Sequence, residues 1–82
     1  MKINIYCIKD TVVGEYESPF YMKNNGTAIR ACSDTIAQGK LANAKDKQLY
    51  CLGEFDTETA VITSEVKFVC NLADFVKGDA NA

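Results

Sequence analysis

The side chains of this 82-residue chain that could carry chemistry are four cysteines, a knot of carboxylates, four tyrosines and scattered lysines, with no histidine. The missing imidazole removes the group that most readily exchanges protons near neutral pH. Serine, threonine and cysteine occur, yet none sits in a nucleophile elbow or a comparable motif. Gly14, Gly26, Gly39 and Gly53 stand singly, so no phosphate-cradling loop can be drawn. The chain is therefore expected not to be an enzyme, and no catalytic residue and no cofactor are assigned.

Cys7, Cys32, Cys51 and Cys70 are evenly spread, without a C-x-x-C pair. They read either as buried free thiols, each a small hydrophobe, or as a four-thiolate metal site. The second reading lacks closely spaced ligand pairs, so no metal site is assigned. Glu54, Asp56 and Glu58 read as a solvated hairpin tip or as an acidic cluster. Alternation sends Glu54 and Asp56 away from Phe55, and no glycine-containing calcium loop frames them.

Nine Lys and Arg stand against eleven Asp and Glu, a formal charge of -2 with no long run of one sign. Coating a phosphate backbone by bulk electrostatics needs clustered cations, so that mode is disfavoured. Arg30, Lys40, Lys45 and Lys47 form a local basic candidate, the alternative being a solvated loop. Hydrophobic residues make up 48% of the chain, a folded composition. At this length the core is marginal, so a homodimer or higher homo-oligomer is expected. No stretch approaches the roughly 18 to 20 apolar residues that cross a bilayer, and the N-terminus lacks the apolar core of a secretory signal. A soluble protein made in a cytoplasm, without a membrane partner, is the expectation.

These residues must be positioned by a few short elements. Lys2 to Lys9 alternates as a central strand, with Ile3, Ile5 and Cys7 on one face and Lys2, Asn4, Tyr6 and Ile8 on the other. A turn at Asp10 to Gly14 leads to a second strand, about Glu15 to Lys23, interrupted by Pro19. Ala28 to about Gln38 has the spacing of an amphipathic helix, capped by Asn25 or Thr27 and stopped by Gly39. Gln48 to Phe55 reads as the third strand, with Leu49, Cys51 and Phe55 on one face. A polar connection, Asp56 to Thr59, leads to a fourth strand over Ala60 to Thr63. Val66 to Cys70 is a fifth short strand or an extended cover, and Leu72 to Val76 a short helix. The expected fold is α+β: two β-hairpins around a central amphipathic helix, an antiparallel sheet with one covered face, and a short C-terminal helix. Residues 1–77 make a single domain and 78–82 a frayed tail.

If Ile3, Ile5 and Cys7 face the helix, then Lys2 and Tyr6 face away, Tyr21 and Lys23 share a face of the second strand, and Tyr50 lies outward on the third. An uncovered sheet of tyrosines flanked by lysines suits single-stranded bases and their phosphates. The alternative buries Tyr6, Tyr21 and Tyr50 in a dimer interface or under the C-terminal helix. Lys2, Tyr6, Tyr21, Lys23, Arg30, Lys40, Lys45, Lys47 and Tyr50 are the candidate nucleic-acid contacts.

A sequence pattern joins these elements. Lys2-Ile3-Asn4-Ile5-Tyr6 before Asp10, then Pro19-Phe20, then Gly26-x-Ala28-Ile29-Arg30-x-x-Ser33-Asp34, then Tyr50-x-Leu52-Gly53-Glu54-Phe55-Asp56-x-Glu58-Thr59 resembles the small non-structural protein of gokushoviruses, single-stranded DNA phages of the Microviridae. The resemblance covers about residues 2 to 62. It implies a phage protein in the cytoplasm of the infected bacterium that binds single-stranded DNA during genome replication or packaging. The rival expectation is an interaction factor that engages phage replication or procapsid proteins, or a host protein, without touching DNA.

Overall fold

A computed structural model describes residues 1–76, so the tail assigned to 78–82 lies outside the described residues. The elements in order are β1 (Lys2–Asp10), β2 (Glu15–Tyr16), β3 (Phe20–Met22), α1 (Asn25–Ala37), β4 (Lys47–Asp56) and β5 (Ile62–Asn71), with 3-10 turns at Ala44–Asp46 and Leu72–Phe75. All pairings are antiparallel. β1 is central: β2 and β3 share one of its edges, β4 pairs along the other, and β5 pairs with β4.

Local chemistry explains most boundaries. Asp10 Oδ1 accepts the N–H groups of Val12 and Val13 at 3.0 and 3.1 Å and tightens the turn that Gly14 completes at φ 82°. Pro19, which has no N–H to donate, falls in the gap between β2 and β3. Asn24 caps α1, its Oδ1 accepting the Thr27 N–H at 2.8 Å, ahead of the two caps expected from sequence. Asp56 Oδ1 takes the Glu58 N–H at 2.8 Å, which organises the tip between β4 and β5. That bond is the main reason the Asp56 carboxyl is held below its ordinary range.

The expected pair of hairpins around a central helix is not what forms. The chain builds one five-stranded antiparallel sheet, with α1 laid across one face. The segments 60–63 and 66–70, expected as separate strands, are one ten-residue strand, β5. The polar run Thr63-Ser64-Glu65 breaks the hydrophobic pattern but not the strand, because β5 is an edge and its residues Ile62 to Phe68 are exposed. The expected C-terminal helix is the 3-10 turn Leu72–Phe75, whose Leu72 plugs the core.

The core is Tyr6, Ala28, Cys32, Leu49 and Leu72, between α1 and the sheet. Its composition overturns the assignment of faces on β1. Tyr6, expected on the open face, is 0% exposed, and Ile5 and Cys7, expected beneath the helix, lie on the opposite face. The period of two is as expected, but the phase is reversed. A phenol can be buried here because its polar end is satisfied: Tyr6 Oη donates to Asn25 Oδ1 at 2.6 Å and accepts from Asn4 Nδ2 at 3.0 Å.

A bulge changes the phase of β4. The register against β1 steps from Ile5↔Gly53 to Tyr6↔Cys51, leaving Leu52 as the extra residue. Leu49 and Cys51 therefore pack toward α1, whereas Phe55, expected to join them, turns to the opposite face and meets Tyr21. Gly53 makes this geometry accessible. Its φ is 136°, and a Cβ built there would lie 2.0 Å from the Thr63 carbonyl oxygen.

The molecule measures 50 × 23 × 17 Å. The thirteen residues of α1 reach about 20 Å, whereas the ten of β4 reach about 33 Å. The helix thus leaves one end of the sheet, around Lys2, Glu54 and Thr63, open on both faces.

Replacing Gly53 by alanine should cost at least roughly 1–3 kcal/mol through backbone strain, with the clash in addition. The expected readout is a lower urea midpoint at unchanged slope. Gly14→Ala, at φ 82° with nothing within 4 Å of the added methyl, should cost less. Equal losses at the two sites would contradict the close approach at Gly53.

Candidate nucleic-acid interface

The face opposite α1 carries Ile3, Ile5, Cys7 and Lys9 from β1, and the register brings aromatic rings from four strands around them. Tyr50 pairs with Cys7 on one side and with Phe68 on the other. Tyr16 reaches back across β1, so that its ring centroid is 5.4 Å from that of Tyr50, and Phe68 lies 5.7 Å from Tyr50 on the far side. The interplanar angles are 78° and 77°, the edge-to-face arrangement that ring quadrupoles favour. The small Cys7 side chain lets the two tyrosines close over it, and it is 1% exposed although no helix among the described residues covers this face. Lys9 Nζ sits 5.4 Å from the centre of the Tyr16 ring, within cation–π range.

The row is accessible: Tyr16 is 49% and Phe68 50% exposed. A second aromatic pair, Tyr21 and Phe55 with centroids 6.2 Å apart, flanks Ile5 toward the uncovered end. Ile3 and Ile62 continue the apolar surface there, on either side of Phe55.

Of the residues singled out from sequence, Tyr21 and Tyr50 come together on this face. Tyr6 does not, being in the core. Lys2 lies on the α1 side of the sheet, in a shallow depression with Glu54, Asp56 and Thr63. Lys23 is exposed just beyond β3, Arg30 is exposed on α1, and Lys40 and Lys45 are exposed in the connection from α1 to β4. Lys47 is 9% exposed, and its Nζ is 2.8 Å from Glu17 Oε2, so it fastens the segment after β2 to β4 instead of facing solvent.

Tyr16, Phe55, Phe68 and Lys9 were not singled out from sequence. An isolated glycine within a strand pattern signals a bulge, and reading Gly53 so would have turned Phe55 to the open face. Tyr16 joins the row only because β2 pairs beside Lys9. Phe68 meets Tyr50 only through a register slip between Leu49 and Tyr50, for which no local signal exists.

All four cysteines are free, with Cys7 and Cys32 buried. Burial, and next the neighbouring Cys70, push the Cys32 thiol up to about 11 from an ordinary 9.0. Burial also raises Cys7 and Cys70, with Glu17 and Asp74 respectively as the second cause, and it raises the Tyr6 phenol against the opposing Asn4 hydrogen bond. Among the described residues no group of three or more His, Cys, Asp or Glu could hold a metal ion, and no helix is long and apolar enough to cross a membrane.

A family model described as Phage ORF5 protein matches residues 3–75, a span running from the first strand through the last 3-10 turn. The chain belongs to the Phage ORF5 protein family. Searches of curated proteins and of solved structures gave no match. In this Phage ORF5 family member the matched span takes in both the Tyr6 core and the aromatic face.

The raised thiols give stability a defined dependence on pH. An unfolded thiol ionises near its ordinary 9.0 while folded Cys32 holds its proton to about 11, so this contribution is intact below pH 9 and is lost as pH rises toward 11. Urea midpoints should fall across that window, and Cys32→Ala should flatten part of the fall. At pH 8 a disulfide reagent should modify Cys32 far more slowly in the native protein than in urea. Equal rates would contradict its burial.

Proposed function

We propose that this phage protein binds single-stranded DNA without catalysis, stacking bases on the row Tyr16, Tyr50 and Phe68. The observation that carries this reading is the row itself: three rings in contact across an uncovered sheet face, two of them half exposed, with Lys9 over one end. Stacking on such rings contributes about 1–3 kcal/mol per base and is tolerant of sequence. With a net charge of -2, few phosphates are neutralised, so affinity rests on stacking more than on counterion release. The resemblance to gokushovirus small non-structural proteins supports a role in genome replication or in the switch to packaging, in the cytoplasm of the infected bacterium.

A second reading is that the protein engages another protein, from the replication apparatus, the procapsid or the host, and never touches DNA. The apolar half of the same face favours it, since Ile3, Ile5, Phe55 and Ile62 offer no cation for a phosphate and Ile62 is 59% exposed.

Titration with an oligothymidylate at low salt, followed by tyrosine fluorescence, should show saturable quenching. Phe68→Ala should weaken binding roughly 5- to 150-fold, and Lys9→Ala should reduce the salt dependence by about one ion. Joint replacement of Lys40 and Lys45 by alanine should leave affinity nearly unchanged, because these residues stand off the aromatic face. Absence of binding at low salt would dismiss the stacking proposal in favour of a protein partner.

A further inference from the structure

β5 is the outer edge of the sheet, ten residues long and without proline. Among the described residues no strand lies beside its outward N–H and C=O groups, which makes β5 a template for pairing. From Ile62 to Phe68 the side chains of β5 alternate, and the alternation breaks only beyond, where Val69 and Cys70 both pack toward the core. Phe68, Val66, Ser64 and Ile62 lie on the aromatic face, while Lys67, Glu65 and Thr63 lie on the α1 side. Val66, Ile62 and Phe68 are each at least 50% exposed.

A lysine on an edge strand ordinarily discourages pairing, because a second copy would bring its own lysine alongside. Here Glu65 lies two residues before Lys67 on the same face, 3.4 Å from it. We propose that the protein forms a two-fold dimer by antiparallel pairing of β5 with β5 of a second copy, centred on Val66. In that register Glu65 faces Lys67 of the second copy and Lys67 faces its Glu65. Val66 meets Val66, and Phe68 lies opposite Ser64.

Charge selects this register over its neighbours. Centring the pair on Glu65 sets glutamate against glutamate, and centring it on Lys67 sets lysine against lysine. Like charges directly opposite are destabilising, whereas opposite charges and packed β-branched residues stabilise a strand pair. The contact is isologous and closes at two copies, so it pairs the β5 edge of each copy without propagating through it into a fibre.

Antiparallel pairing keeps opposed side chains on one face, so the two aromatic rows lie on the same side of a ten-stranded sheet. The pairing itself does not depend on DNA, and a protein that never met DNA would form it equally. A track of bases running across both rows is the part that rests on the stacking proposal.

Sedimentation of the full chain without DNA tests the dimer directly. The parent should sediment as a dimer in the micromolar range. Lys67→Glu and Glu65→Lys should each weaken association about tenfold or more by opposing like charges, and the double exchange E65K/K67E should restore it. Circular dichroism should remain native, both positions being exposed. Val66→Cys should yield a disulfide-linked dimer under mild oxidation, since the two thiols meet on the axis, whereas Glu58→Cys at the hairpin tip should not. A monomeric parent, or a dimer indifferent to both single reversals, would overturn the proposal.

Discussion

The Tyr6 hydroxyl meets the Asn25 side chain at 2.6 Å, joining the middle of the central strand to the first turn of the only α-helix among the described residues. This contact sets the phase of the whole sheet. With the tyrosine ring turned toward α1, Ile8 and Leu49 follow it into the core, and Ile3, Ile5 and Cys7 must face the other way. A phenol buried without a partner would forfeit about 1–3 kcal/mol. Asn4 and Asn25 remove that penalty, and so this large ring can serve as the centre of a small core.

The opposite face then has to manage apolar strand residues without a helix. It does so in two ways. Toward β2, Tyr16 and Tyr50 close over Cys7, so aromatic rings act as a lid one side chain thick. Toward the far end, Tyr21 and Phe55 flank Ile5, and Phe55 is there only because the bulge at Gly53 reverses the alternation of β4. The same rings that shield the sheet from water are therefore the ones it displays. Stability and the proposed recognition draw on one set of residues.

Where a short-range interaction decides the structure, the sequence was readable. The turn after Asp10, the break at Pro19, the helix end at Gly39 and the polar tip around Asp56 are each dictated by one or two side chains, and they lie where those side chains indicate. The phase of β1 was not readable, because both of its faces carry apolar groups and only the packed helix distinguishes them. The unity of β5 was hidden by Thr63, Ser64 and Glu65, which are compatible with a strand once one knows that it lies at an edge. For the candidate site, Tyr21 and Tyr50 followed from alternation alone. Tyr16 and Phe68 depend on which strands become neighbours, and Lys47 was misread because its partner, Glu17, is thirty residues away in sequence.

The mismatch in length between helix and sheet divides the molecule energetically as well as spatially. Around Tyr6 and Leu49, backbone hydrogen bonds are shielded by α1 on one side and by rings on the other. Around Lys2, Glu54 and Thr63 no described helix covers the ladder, and the exposed residues there bury little apolar surface to resist its separation. Amide protons at that end are expected to exchange through local openings, and those beside the core only on global unfolding. The sheet thus joins a packed block to a barely covered blade, and a partner that covers the blade would add protection there before anywhere else.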